Sequence, residues 1–345
     1  MVKTLFVTLT TLLCLTACAP EGSTLDEGSW DLLDAGKADG VGSSTYGALA
    51  RLSVPRELEA MRAAMVVLDD DVLPHEAKAF RKQIGRLRDH VDMFAFAYKP
   101  GKHRDAWKEI RDELDVGYES VGHFKDLFDV QDVVDPAQAE YDLDEVADRR
   151  DEVLTWAAGF GEPAHAAEVD AYLAAPSIDK LYDRPKADQA RFYWREAGIE
   201  PDRDLSGLKN IARLQRALID EARDDLAETP EIGKLTKEEH AIAFHDFRKR
   251  IRSIEKITTY FPEITRPKDA EEAAALLPTV VEAVDRYGAL NDRIGAYLRA
   301  KDGDDDDRAD DIADDIADGW DELLAWQEDV DLDEVLDDLR ATVRK

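Results

Sequence analysis

Apolar residues recur three and four positions apart over long stretches of this chain, and that spacing restricts what it can fold into. Phe80, Ile84, Leu87, Val91 and Phe94 keep the period in one stretch, and Phe244, Phe247, Ile251 and Ile254 keep it in another. At about 100° per residue each set falls on one side of a helix. The strict alternation of Val, Ile and Thr that a half-buried strand requires is missing, and Ala, Leu, Glu, Arg and Lys are abundant. With 345 residues and 44% hydrophobic content the chain can bury a sizeable core. The expectation is an all-α fold with no sheet, a duplicated four-helix bundle.

Turn and cap residues divide the pattern. Helices are expected from about His75 to Tyr98, stopped by Pro100-Gly101, from Arg104 to Val134, stopped before Pro136, and from Ala139 to Ala158, stopped by Gly159. Apolar periodicity from Leu58 to Leu68 marks a helix ahead of them. Residues 160 to 205 are less regular and carry Pro163, Pro176, Pro185 and Pro201. Regular helix resumes from Ser206 to Leu226, and the next opens with a capping box, Thr236 and Glu239, and runs to Phe261. Two more cover Asp269 to Ala300 and Arg308 to Val343, the last broken near Asp329 to Asp331. The division expected is a helical domain over 49–345, with a first half at 49–160, a connector at 161–205 and a second half at 206–345.

The N-terminus points to export. Lys3 supplies a positive start, Leu5 to Leu15 an apolar run, and Leu15-Thr16-Ala17-Cys18 small residues ending in a cysteine. That run is too short for a permanent span of roughly 20 residues. Residues 1–17 resemble a bacterial lipoprotein signal with its lipobox, and Cys18 is the expected lipidation site; an ordinary cleaved signal beside a coincidental cysteine is the alternative. Cleavage there removes Cys14 and leaves no pair for a disulfide. Ala19 after the cysteine suggests the outer membrane, facing the periplasm or the outside. Residues 18–48, rich in Gly, Ser, Asp and Ala, read as a flexible tether. A net charge of −32 excludes the usual electrostatic footprint of a nucleic-acid-binding protein.

Two segments match each other. Phe80-Arg81-Lys82 aligns with Phe247-Arg248-Lys249 at an offset of 167, which also places Ile84 on Ile251 and Phe94 on Phe261. At 166, Gly122-His-Phe-Lys-Asp126 falls on Gly288-Ala-Leu-Asn-Asp292. The order of both signatures argues for an ancestral duplication. In each copy the polar face is cationic: Lys78, Arg81 and Lys82, with Arg86 and Arg88 at the edges, in the first; His245, Arg248, Lys249, Arg252 and Lys256 in the second. Asp89 dilutes the first. Like charges one turn apart repel by about 0.2 to 0.5 kcal/mol a pair, so something offsets them. Carboxylates of neighbouring helices do so, or a polyanion whose oxygens suit the planar arginine fork.

His245-x-x-Arg248-x-x-x-Arg252 followed by an aromatic helix end, and Tyr287-Gly-Ala-Leu-Asn-Asp292, resemble the CHAD family, the conserved histidine α-helical domains. The resemblance runs from about 50 to 343 with an insertion near 160 to 205; in the first half Arg81, Arg86, Arg88 and Gly122-x-x-Lys125-Asp126 fit it. It implies two four-helix bundles related by a pseudo-twofold axis, with basic helices lining a groove that binds inorganic polyphosphate. The implied binding residues are Lys78, Arg81, Lys82, Arg86, Arg88, His245, Arg248, Lys249 and Arg252. Lys78 stands where the first histidine is expected, Gly85 where an arginine is expected, and Ser253 and Glu255 replace two basic positions. The expected partner is phosphate or polyphosphate, with the membrane reached through Cys18. The competing expectation is a structural or protein-interaction lipoprotein whose basic residues form internal salt bridges.

No other chemistry is signalled. His240 and His245 are five apart and lie on different faces, and Asp304 to Asp307 lack the glycine and terminal glutamate of a calcium loop, so no metal is expected. Neither a Gly-x-Ser-x-Gly elbow nor a phosphate-cradling glycine loop occurs, so no enzyme and no cofactor are expected. Ile312, Ile316, Trp320, Leu323, Leu324, Trp326, Trp156 and Trp194 are expected in the core.

Overall fold

The structure, a computed structural model, describes residues 44–66, 68–99, 102–129, 139–182, 192–227, 238–302 and 306–345. Among these the chain is all-helical: α1 (Tyr46–Met65), α2 (Ala77–Met93), α3 (Lys102–Asp129), α4 (Leu143–Phe160), α5 (Pro163–Leu173), α6 (Phe192–Glu196), α7 (Gly207–Ala227), α8 (Glu238–Tyr260), α9 (Ala270–Asp302), α10 (Asp306–Val330) and α11 (Leu332–Thr342). The described residues contain no strand, only an isolated antiparallel bridge between Thr265 and Val343. They part into two compact units, residues up to 218 and residues 219–344.

In the first unit α2 packs against α1 and α3, and α3 against α4. The apolar stripe of α2 enters the core, with Phe80, Ile84, Leu87, Val91 and Phe94 all buried. The connector packs on the end of α2: Trp194 Nε1 donates to Met93 O at 2.8 Å, Ser177 N to Ala97 O at 2.7 Å, and Tyr46 OH also donates to Met93 O. Trp194 and Tyr193 are among the most buried large side chains, as expected of a packing aromatic.

In the second unit α9 packs against α8, α10 and α11. Phe244, Phe247, Ile251 and Ile254 are buried, and Phe247 meets the Tyr287 ring edge-on at 4.7 Å. Ile316, Trp320, Leu323 and Trp326 join this core, but Leu324 is exposed. Adjacent positions on a helix point about 100° apart, so a core stripe that takes Leu323 turns Leu324 outward. The break expected near Asp329 to Asp331 is present: Asp331 adopts a left-handed φ of 47°, and its carboxylate accepts the Glu334 N–H at 3.2 Å to start α11.

Helix ends differ from the periodicity in places. The first helix starts at Tyr46, inside the span expected as tether, and continues through Pro55. Thr45 caps it by accepting Ala48 N–H at 3.2 Å, and burial of Tyr46, Leu49, Ala50 and Val54 outweighs the one donor that Pro55 lacks. The helix expected from His75 to Tyr98 is flanked by 3₁₀ turns at Pro74–Glu76 and Ala95–Ala97. Helix α4 starts at Leu143 because the Asp142 carboxylate accepts the N–H groups of Asp144 and Glu145. The Thr236 cap lies outside the described residues.

Candidate functional site

Each unit carries one of the two cationic faces. In the second, the buried stripe of α8 turns His245, Arg248, Lys249, Arg252 and Lys256 to a part-exposed side. His245 Nδ1 lies 3.0 Å from Asn291 Oδ1 on α9, which makes the ring nitrogen the donor. Arg248 crosses to α9 beside Gly288, where an added Cβ would sit 3.2 Å from its Nη2. Its carboxylate neighbour, Asp292, is 3.9 Å away and 73% exposed. Lys249 meets Asp246 of its own helix at 3.5 Å. Both are loose pairs with solvated acids, the kind that contributes about 0 to 1 kcal/mol and yields to a competing anion. Ser253 does not join this face; it is buried and donates to Lys249 O at 2.9 Å.

The first face is built differently along its length. At its start, Lys78 and Lys82 are exposed, and Arg81 lies against Gly122 of α3, where a Cβ would come within 2.8 Å of its Nη2. A glycine opposite the arginine thus occurs in both units, at the two positions the repeat aligns. Lys125, one turn beyond Gly122, is held below the ordinary lysine value by burial and by Arg81 and Lys78, against the pull of Asp126. Further along, the arginines are committed. Arg86 Nε is 3.0 Å from Glu57, whose side chain is 2% exposed, and Arg88 is 3.4 Å from Asp115. Arg81 and Arg88 also lay their guanidinium groups over the Tyr118 ring, at 4.3 and 4.2 Å from its centroid. Arg86, Arg88 and Arg248 each have a carboxylate within 4.0 Å.

Sequence reasoning missed a layer of buried charge between α1, α2 and α3. Asp89, expected on the polar face, is 4% exposed, and His90, Asp92 and Glu57 are buried with it. Helical spacing places these residues at the margin of the apolar stripe, where only the neighbouring helices decide between solvent and interior. Glu57 is bonded by Arg56 at 2.6 Å as well as by Arg86. Burial alone would raise its carboxyl; the fields of His90, Arg86 and Arg56 outweigh that and hold it below the usual range. Burial also keeps the His90 imidazole below its ordinary value, so near neutral pH the arginines are the partners that matter. The His90 Nδ1–H donates to Arg86 O at 2.8 Å.

Asp92 accepts from Arg111 Nε at 3.1 Å, and Arg111 also pairs with Asp115. Burial pushes Asp92 up to about 7, against the pull of Arg111 and Arg88 and with a further push from Asp89. Raised in the fold, its pKa makes this group favour the folded state most below its unfolded value near 3.9, with the benefit lost as pH climbs through 7. Asp92→Asn carries no such charge. Its stability relative to the natural chain is expected to improve between pH 5 and pH 8, by on the order of 2 kcal/mol, in urea melts at the two pH values.

Cys18 and Cys14 lie outside the described residues, as does most of the tether. No helix among the described residues is long and apolar enough to cross a membrane, and no group of three His, Cys, Asp or Glu among them is placed to hold a metal ion. Neither family models, nor characterised proteins, nor solved structures give a match to this chain.

Proposed function

We propose that this chain is an exported, lipid-anchored helical module of the CHAD type that binds phosphate or polyphosphate and catalyses no reaction. The observation that carries the reading is the α8 face: His245, Arg248, Lys249 and Arg252 follow one another over eight residues, and Asp292 and Asp246, which pair with Arg248 and Lys249, are 73% and 41% exposed. From the first to the last of them the helix rises about 10 Å, a length suited to a few consecutive phosphates. Displacing a solvated aspartate 3.9 Å from Arg248 costs little, while a phosphate oxygen gains a charge-assisted bond. The first unit carries a cationic face of its own through Lys78, Arg81 and Lys82, read as a second surface for the same kind of anion. Calorimetric titration of the intact chain with long-chain polyphosphate and with orthophosphate at low salt tests the reading; heat of binding with either supports it, and none with both removes it.

A second reading is favoured by a specific observation. Arg86 is paired with the buried Glu57 and Arg88 with Asp115, which makes that stretch of the first face internal scaffolding. If the second face behaves likewise, the protein is a structural or interaction lipoprotein, and the same titration gives no heat.

The anchor is the proposed route to the cell envelope, at the outer membrane. Cys18→Ser is expected to move nearly all of the protein from the membrane fraction to the soluble one. Fractionation with immunoblotting reads this directly, and an unchanged distribution speaks against lipidation.

A further inference from the structure

We infer that Tyr118, seated by Gly85, is the positioning residue of the first cationic face: it holds Arg81 for an anion and draws Arg88 away from the ligand. This rests on the anion-binding reading above. Two guanidinium groups within 4.3 Å of one ring centroid form an arrangement that ordinary packing does not require. Arg81 is fixed from three sides. Its carbon lies over the ring, its Nε donates to Tyr118 O at 3.4 Å, and its guanidinium rests against Gly122. Among the described residues no carboxylate pairs with Arg81 at ion-pair distance, unlike Arg88, which the ring and Asp115 take together. Fixing a long cationic side chain before the ligand arrives removes rotamer entropy that binding would otherwise cost.

The ring is there because Gly85 leaves room for it: a Cβ on Gly85 would stand 3.1 Å from Tyr118 Cε2. The aligned positions of the second copy carry the opposite choice. Gly85 aligns with Arg252 at the offset of 167, and Tyr118 with Val284 at 166. Where one copy has an arginine and a small aliphatic residue, the other has a glycine and an aromatic ring. The first face thus gives up one cation and gains a clamp for another.

Three variants test this, with long-chain inorganic polyphosphate as the probe and calorimetry across a salt series as the readout. Tyr118→Leu is expected to weaken binding about five- to tenfold and to flatten the salt dependence by about one phosphate contact, while Tyr118→Phe, which keeps the ring, binds like the natural chain. Gly85→Ala, whose methyl group displaces the ring without removing it, is expected to lose affinity in the same direction by a smaller factor, and it decides the matter should Tyr118→Leu lose helical structure. Natural affinity and slope in both Tyr118→Leu and Gly85→Ala overturn the inference alone, as does a loss in Tyr118→Phe equal to that in Tyr118→Leu. Absence of polyphosphate binding by the natural chain overturns the anion-binding reading and takes this inference with it.

Discussion

Replacing Glu57 with alanine is expected to destabilise the first unit by about 2–3 kcal/mol, because it leaves two part-buried arginines without their anion. The Glu57 side chain is 2% exposed and receives Arg56 at 2.6 Å and Arg86 at 3.0 Å, while the His90 ring is fully enclosed nearby. Arg56 and Arg86 keep part of their side chains in water, at 31% and 17% exposure, so both can turn outward once Glu57 is gone and only the His90 ring stays enclosed. The pair itself is a weaker source of stability than the cost of breaking it suggests, since taking both charges out of water offsets most of their attraction. Glu57→Met with Arg86→Met should therefore lose less than Glu57→Ala alone. Urea unfolding followed by circular dichroism checks both, and a single variant within about 1 kcal/mol of the natural chain shows that the site is wetter than its burial implies.

The second large effect concerns the α8 face. His245→Ala with Arg248→Ala and Arg252→Ala is expected to lower affinity for polyphosphate by about a hundredfold or more, since each charge-assisted contact contributes about 1.5–3 kcal/mol before solvent screening trims it. The three residues lie on the part-exposed side of α8, opposite Phe244, Phe247, Ile251 and Ile254, so the variant keeps its core. A charge-matched control separates local contact from overall field. Lys108→Ala with Arg149→Ala removes two exposed cations, paired with Asp112 and Glu152, and should stay within about twofold of natural affinity. Equal losses in both variants would assign the binding to net charge rather than to this face.

Much of the fold is legible in the sequence because one physical signal dominates it. The 3.6-residue period identifies α2 and α8 and names their buried residues, and Pro, Gly and capping aspartates place most ends within a few residues. The start of α1 is harder to read, since Pro55 stands in the middle and the pattern ahead of Leu58 contains Gly47, Ser53 and Arg51. Its burial comes from contacts made far along the chain, such as Gly207 N donating to Ser44 O at 2.7 Å.

For the candidate site the sequence locates the cations but not what neutralises them. Arg86 and Arg248 look alike on a helical wheel, yet one meets a buried glutamate and the other an exposed aspartate. That distinction arises from helices more than twenty residues away in the chain, so no local pattern contains it. Tyr118 is equally hidden: it is one of several aromatics in α3, with Trp107, Phe124 and Phe128, and only the paired absence of a side chain at Gly85 hints at its place.

The central claim is that these faces hold a phosphate-bearing anion by charge, and the salt dependence of polyphosphate binding tests it most directly. Affinity measured over a range of ionic strength is expected to fall linearly on logarithmic axes with a slope of about −2 to −4, reporting several phosphates neutralised together. No binding at the lowest salt, or binding that ignores salt altogether, contradicts it.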